Sequence, residues 1–171
     1  ALSATLTKTV AVTQPSAPVG GSTVITNVSC QGGSNGAINL TPTGGVSPYT
    51  FNWGGGVTTE DRTGLVAGAY SCVVTDNNGC NATVSATVTQ PSSVVGGSTS
   101  VTNVACNGGA TGAINLTPSG GTPSYTFNWG GGIVTEDRTG LSAGSYSCVV
   151  TDNNGCTATV TATVTQPSAL S

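Results

Sequence analysis

Six cysteines stand in the 171-residue chain as two sets of three: Cys30, Cys72 and Cys80, then Cys106, Cys148 and Cys156, each member 76 residues after its counterpart. Thiols in this number can pair as disulfides or lie buried as small hydrophobes. Three per set is odd, so they cannot all pair within a set. Six Cys in a Thr-rich chain with a single Lys fit an oxidising compartment, and the expected location is extracellular, at the cell surface.

Other groups capable of chemistry are few. There is no His, and the charges are Lys8, Arg62 and Arg138 against Glu60, Asp61, Asp76, Glu136, Asp137 and Asp152, a net of -3. Glu60 and Asp61 are adjacent, so on a strand they point to opposite faces and make a poor acid/base pair. Asp76-Asn77-Asn78-Gly79 opens like a calcium loop, but no Glu follows at the distance an EF-hand requires, and turn chemistry accounts for its residues. Gly54-Gly55-Gly56 lacks the Lys and Ser/Thr that a phosphate loop needs. The expectation is therefore no catalytic residue, no metal and no cofactor: not an enzyme. Unclustered cations also argue against nucleic acid and anionic membrane surfaces as partners. No stretch approaches the roughly 20 apolar residues of a membrane span, so this segment should not insert in a membrane.

The elements that must position the cysteines follow from the same 76-residue period. Residues 15–90 overlie residues 91–166 without a gap and differ at 18 positions, so the two copies must share one fold. Twenty-six Gly, no Met and abundant Thr, Ser and Val favour short strands over helices. Within a copy, strands are expected over residues 22–28, 37–41, 49–53, 70–75 and 82–89, with two short edge strands within 57–66. The hairpin turn at Asp76-Asn77-Asn78-Gly79 joins the last two. Residues 4–13 read as a further strand, and Gln14-Pro15, Gln90-Pro91 and Gln166-Pro167 keep the same period.

Tyr49, Phe51 and Trp53 alternate on one face of their strand, as do Tyr125, Phe127 and Trp129. With Tyr70 and Tyr146 they are the expected core, largely buried together with Ile38, Leu40, Val74 and Val84. Leu65, Gly68, Tyr70 and Cys72 also reproduce the spacing of a tyrosine corner. The predicted fold is all-β: tandem immunoglobulin-like β-sandwich domains of about seven strands each. The domains are 15–90 and 91–166. Residues 1–14 form the terminal strand of a preceding repeat or a strand donated to a neighbouring subunit, and 167–171 begin the next linker.

These motifs resemble the SprB-type repeats of very long cell-surface adhesins of Bacteroidetes, including gliding-motility adhesins. The resemblance is carried by Asn27-Val28-Ser29-Cys30-Gln31-Gly32-Gly33, by Gly44-Gly45 followed by Tyr49-Thr50-Phe51-Asn52-Trp53, by Thr63-Gly64-Leu65 with Ala67-Gly68-Ala69-Tyr70, and by Asp76-Asn77-Asn78-Gly79-Cys80, all of which recur in the second copy. It implies a secreted or surface-exposed tandem module of a fibrous protein. Cys72 and Cys148 depart from it, because such repeats usually carry a Val-like residue there.

In an immunoglobulin-like topology Cys30 follows the first strand and Cys80 begins the last, too far apart for the limit of about 7 Å between bridged Cα atoms. The disulfide candidates are Cys30, Cys80, Cys106 and Cys156, with Cys30 expected to bond Cys156 of the other copy and Cys80 and Cys106 left for the preceding and following copies. Cys30 with Cys72 is the alternative. Cys72 and Cys148 are in phase with the core and read as buried thiols. The expected role is a structural module of an extracellular stalk, fibre or filament whose partners are neighbouring repeats or identical subunits. The alternative is an adhesin module that itself binds a surface glycan, for which Trp53 is the residue to test.

Overall fold

The computed structural model describes residues 8–10 and 13–169. Most of the strand expected over residues 4–13 lies outside the described residues, and residues 8–10, 13 and 14 carry no strand. In the first copy the strands are β1 (Gly20–Thr26), β2 (Gly36–Thr43), β3 (Thr50–Asn52), β4 (Arg62–Leu65), β5 (Gly68–Thr75) and β6 (Asn81–Val88). In the second they are β7 (Gly96–Thr102), β8 (Gly112–Ser119), β9 (Thr126–Asn128), β10 (Arg138–Leu141), β11 (Gly144–Thr151) and β12 (Thr157–Val164).

Each copy splits its strands between two three-stranded sheets in the same way. The first copy has orders β1-β2-β4 and β3-β5-β6, and the second β10-β8-β7 and β12-β11-β9. Placing the first, second and fourth strands in one sheet and the third, fifth and sixth in the other is the division of an immunoglobulin-like sandwich. The fold is all-β and immunoglobulin-like, with six strands per copy among the described residues rather than seven.

The missing strand has a local cause. Residues 57–61 were expected to pair at an edge, but side chains serve their backbone instead: the Trp53 indole N–H donates to the Thr59 carbonyl at 2.8 Å and the Thr59 hydroxyl to the Asp61 carbonyl at 2.7 Å. The Asp61 carboxylate then accepts the Leu40 amide at 2.9 Å. In the second copy the ladder between β10 and β8 ends at Arg138 opposite Ile114, and the Asp137 carboxylate takes the next available amide, that of Leu116, at 2.9 Å. In each copy a carboxylate thus takes one β-strand amide that an edge strand would otherwise have paired.

Contacts divide the chain into two compact units. One holds Ile38–Arg62, Ala69–Thr87 and the described residues up to Ile25; the other holds Thr26–Ala37, Thr63–Gly68 and the described residues from Val88 onward. In the first unit Leu40, Cys72 and Val74 form the buried core, with Val19, Tyr49, Phe51, Trp53 and Val84 packed against it. In the second, one cluster is built on Ile114, Leu141 and Val164 and another on Leu116, Cys148 and Val150. Period two places these residues: Ile38 and Leu40, Cys72 and Val74, and Ala86 and Val88 are each two apart and all buried.

Tyr49, Phe51 and Trp53, like Tyr125, Phe127 and Trp129, pack against the buried core while each keeps a minor part of its surface exposed. β3 has only three residues and lies at the edge of its sheet, so its rings have a neighbouring strand on one side alone. Their polar ends also hold them near the surface. The Tyr49 hydroxyl donates to the Gly44 carbonyl and the Tyr125 hydroxyl to the Gly120 carbonyl.

Candidate functional site

The hairpin turn between β11 and β12 is built on Asp152, whose side chain is 5 % exposed. Its Oδ1 accepts the amides of Asn154 at 2.9 Å and Cys156 at 2.8 Å, and its Oδ2 accepts the Thr122 amide at 2.8 Å. The Thr122 amide above all holds this carboxyl below the usual carboxylate range, helped by the amides of Cys156, Asn154 and Gly155 and opposed by desolvation. Asp76 repeats the arrangement with the amides of Val46, Asn78 and Cys80. Both carboxylates face backbone donors, which fixes the cysteine four residues on.

Cys156, so positioned, is bonded to Cys30, with their Cα atoms 5.7 Å apart. The bond links the two sequence copies; it is neither Cys30 with Cys72 nor Cys30 with Cys80. Beside it the Asn154 side-chain amide donates to the Ser29 carbonyl at 3.0 Å. The Cys30 loop is shaped from within by the Gly33 amide donating to the Cys30 carbonyl at 2.9 Å and by the Ser29 amide donating to Asn35 Oδ1 at 3.0 Å.

The segment after β6 is tied to the same place. Gln90 Oε1 accepts the Gly32 amide at 2.8 Å, and Gln31 Nε2 donates to the Ser92 carbonyl at 3.0 Å. Further along, the Ser93 carbonyl accepts the Gly121 amide at 3.0 Å. Gly120 has φ of 69°, and a Cβ there would lie 1.9 Å from the Val94 carbonyl oxygen. Only glycine lets the linker approach so closely. The Gln-Pro-Ser signature was legible as a joint, but the role of the Gln side chain was not, because its partner lies 58 residues away.

Cys72 and Cys148 are fully buried free thiols on β5 and β11. Burial pushes both thiols up, with backbone hydrogen bonding at Asn52 and Asn128 acting in the opposite sense. Cys80 and Cys106 are free and exposed.

Arg62 and Arg138 are the residues that sequence reasoning missed. The Arg62 guanidinium lies 5.7 Å from the ring centres of both Trp53 and Tyr70, and that of Arg138 lies 5.8 Å from Trp129 and 5.6 Å from Tyr146. Each caps two aromatic rings by cation–π contact. A register shift between Arg138 and Leu141 breaks the period-two pattern that would have assigned them faces. The Tyr146 hydroxyl donates to the Ser142 carbonyl at 2.9 Å, four residues upstream, which is the tyrosine-corner bond. Glu60 and Glu136 are exposed. Among the described residues no three His, Cys, Asp or Glu side chains gather as a metal-holding group, and no helix is long and apolar enough to cross a membrane.

Among solved structures the chain is similar to the three N-terminal domains of the bacteriophage RB49 highly immunogenic outer capsid protein, at 16 % identity and a TM-score of 0.45 over 85 % of this chain and 59 % of that one. It is similar to a C-terminal intimin fragment in complex with the intimin-binding domain of its translocated receptor, also at 16 % and 0.45, over 87 % of this chain and 64 % of that one. The Down syndrome cell adhesion molecule, represented by its N-terminal eight Ig domains, matches at 12 % and 0.42 over 88 % of this chain and 25 % of that one. The chain thus spans less than two thirds of each of these structures. No curated protein sequence matches it. The SprB repeat model matches residues 22–58 and 98–132, which hold the Cys30 and Cys106 loops and the aromatic strands β3 and β9. The SprB repeat model thus matches once in each copy, consistent with two such repeats in tandem.

Proposed function

We propose that this chain is a structural module of an extracellular stalk, fibre or filament of a bacterial surface adhesin, with no catalysis of its own. The observation that carries the reading is the Cys30–Cys156 bond, which ties residues of different repeats covalently. A module whose task is to hold its neighbours gains from such a bond, because local unfolding of one joint no longer separates the copies. The surrounding chemistry supports the same role: the four Asp carboxylates, the Gln31, Gln90 and Gln166 side chains and the two guanidinium groups are engaged by backbone and rings.

The rival role, direct binding of a surface glycan, needs an aromatic platform. The Trp53 ring is capped by Arg62, and its indole N–H is taken by the Thr59 carbonyl. Two measurements separate the roles. Antibody raised against this chain should decorate surface fibres on intact source cells, and a glycan array probed with the two-repeat chain should be blank. Label confined to the cell interior would sink the structural reading. Binding to one glycan class, lost in a folded Trp53→Ala variant, would put the glycan role in its place.

A further inference from the structure

Cys80 and Cys106 are two halves of the joint that Cys30 and Cys156 complete. Cys80 holds in the first repeat the position of Cys156 in the second, and Cys106 the position of Cys30. The surroundings correspond as well. The crevice at the bond is lined by Val94, Val95, Gly121 and Thr157 on the Cys156 side and by Gln31 on the Cys30 side. A crevice at Cys80 has the first set in its counterparts Pro18, Val19, Gly45 and Asn81, and includes no residue of a Cys30-type loop. A third crevice, at Cys106, supplies that missing kind of loop through Ala105 and Asn107, beside Pro167 and Ser168.

The supporting contacts are also prepared. The Cys80 amide is held by Asp76 at 2.8 Å as the Cys156 amide is held by Asp152. On the other side, the Gly108 amide donates to Gln166 Oε1 at 2.9 Å and Asn107 Nδ2 to the Pro167 carbonyl at 3.0 Å, repeating the Gln90 and Gln31 contacts. Asn154 donates to a main-chain carbonyl, that of Ser29, so the change to Ala105 keeps the acceptor that Asn78 would use.

We propose that Cys106 of one copy of this chain forms a disulfide with Cys80 of a second copy, in the same sense as Cys30 with Cys156. The proposal rests on the filament-module reading and names its partner as identical subunits. A linker segment already accompanies each half, and only one can lie in the joint. Residues 13–16 are exposed and precede the Ala17 carbonyl that accepts the Gly45 amide, so they can give way.

The bond forms by two thiol–disulfide exchanges with a disulfide oxidant, either a thiol oxidoreductase or a small-molecule disulfide. The Cys106 thiolate attacks one oxidant sulfur and expels the other. The Cys80 thiolate of the second copy then displaces the remaining oxidant sulfur. The two cysteines lose two protons and two electrons in all, and the oxidant ends as two thiols.

The test uses the full chain as wild type, Cys80→Ser, Cys106→Ser and the double variant, each exposed to oxidised glutathione and run on gels without and with reductant. Wild type should give a ladder of whole-chain multiples that collapses on reduction. Each single variant should stay monomeric, and an equimolar mixture of the two should give a reducible dimer at least tenfold above either alone. The double variant should remain monomeric. Single variants that dimerise alone as well as the mixture would overturn the pairing of unlike halves. Monomeric wild type would overturn the cross-link, as would source material whose mass reduction does not change. Surface labelling and the glycan array would be unaffected by either failure, so the module reading can stand or fall separately.

Discussion

Asp152 shows how much one side chain can organise in a chain with so little charge. A carboxylate with two oxygens can accept the three amides of Thr122, Asn154 and Cys156, whereas an amide side chain would turn an N–H toward at least one of them. Because the folded-state pKa is lowered, ionised Asp152 stabilises the fold above the ordinary carboxylate pKa of about 4. That contribution is lost as pH falls through the folded value. Asp152→Asn should therefore melt lower than wild type at neutral pH, and the gap should close on acidification below about pH 4. A constant gap across a melting series from pH 7 to 2 would mean that the carboxylate's charge is not what matters. Core residues give a second comparison. Leu40 is fully buried while Phe51 keeps part of its ring in water, so Leu40→Ala should cost about 2 to 5 kcal/mol and Phe51→Ala only about 1 to 3. Denaturant unfolding of both variants measures the order, and a larger loss at Phe51 would place the first unit's core nearer the edge strand than the burial indicates.

Strands follow from alternation, and turns from the groups that end them. β5 and β6 were legible because Cys72 and Val74, and Ala86 and Val88, alternate with outward polar or small residues over eight-residue runs. Residues 57–61 were not, because the Leu40 amide is taken by the Asp61 carboxylate and the ring of Trp53 donates into the same segment. Alternation carries no information about a carboxylate that takes a strand amide. The rings were legible as inward-facing but their arginine caps were not, since Arg138 stands at a break in register. What requires glycine at Gly44 and Gly120 is the incoming linker. Gly120→Ala should cost the αL penalty of about 1 to 2 kcal/mol plus the displacement of the Val94 carbonyl that a Cβ would meet at 1.9 Å. Gly131→Ala, at φ of 59° with nothing within 4 Å of a Cβ, should cost only the αL penalty. Equal losses in thermal melts of the two variants would remove the close approach as the reason for glycine.

At the scale of the whole molecule, the bond between repeats determines what unfolding can release. Cys30 and Cys156 are 126 residues apart in sequence, so the bridge constrains nearly every strand of both copies in the unfolded chain. The chain-entropy model sets that restraint at about 5 kcal/mol for a loop of this length. This is an upper bound, since one repeat can open while the other remains folded. Cys156→Ser leaves the Asp152 turn its backbone donors and removes only the covalent tie. The variant should melt below the oxidised wild type, by no more than about 10 to 20 °C, and wild type treated with reductant should fall to the same temperature. The buried thiols Cys72 and Cys148 should resist maleimide in all three samples until the melt, while Cys80 and Cys106 should label at once in native wild type after reduction. If Cys156→Ser melts with the oxidised wild type, the bridge contributes nothing to holding the copies, and the structural role would have to rest on the hydrogen-bonded Gln90 linker alone.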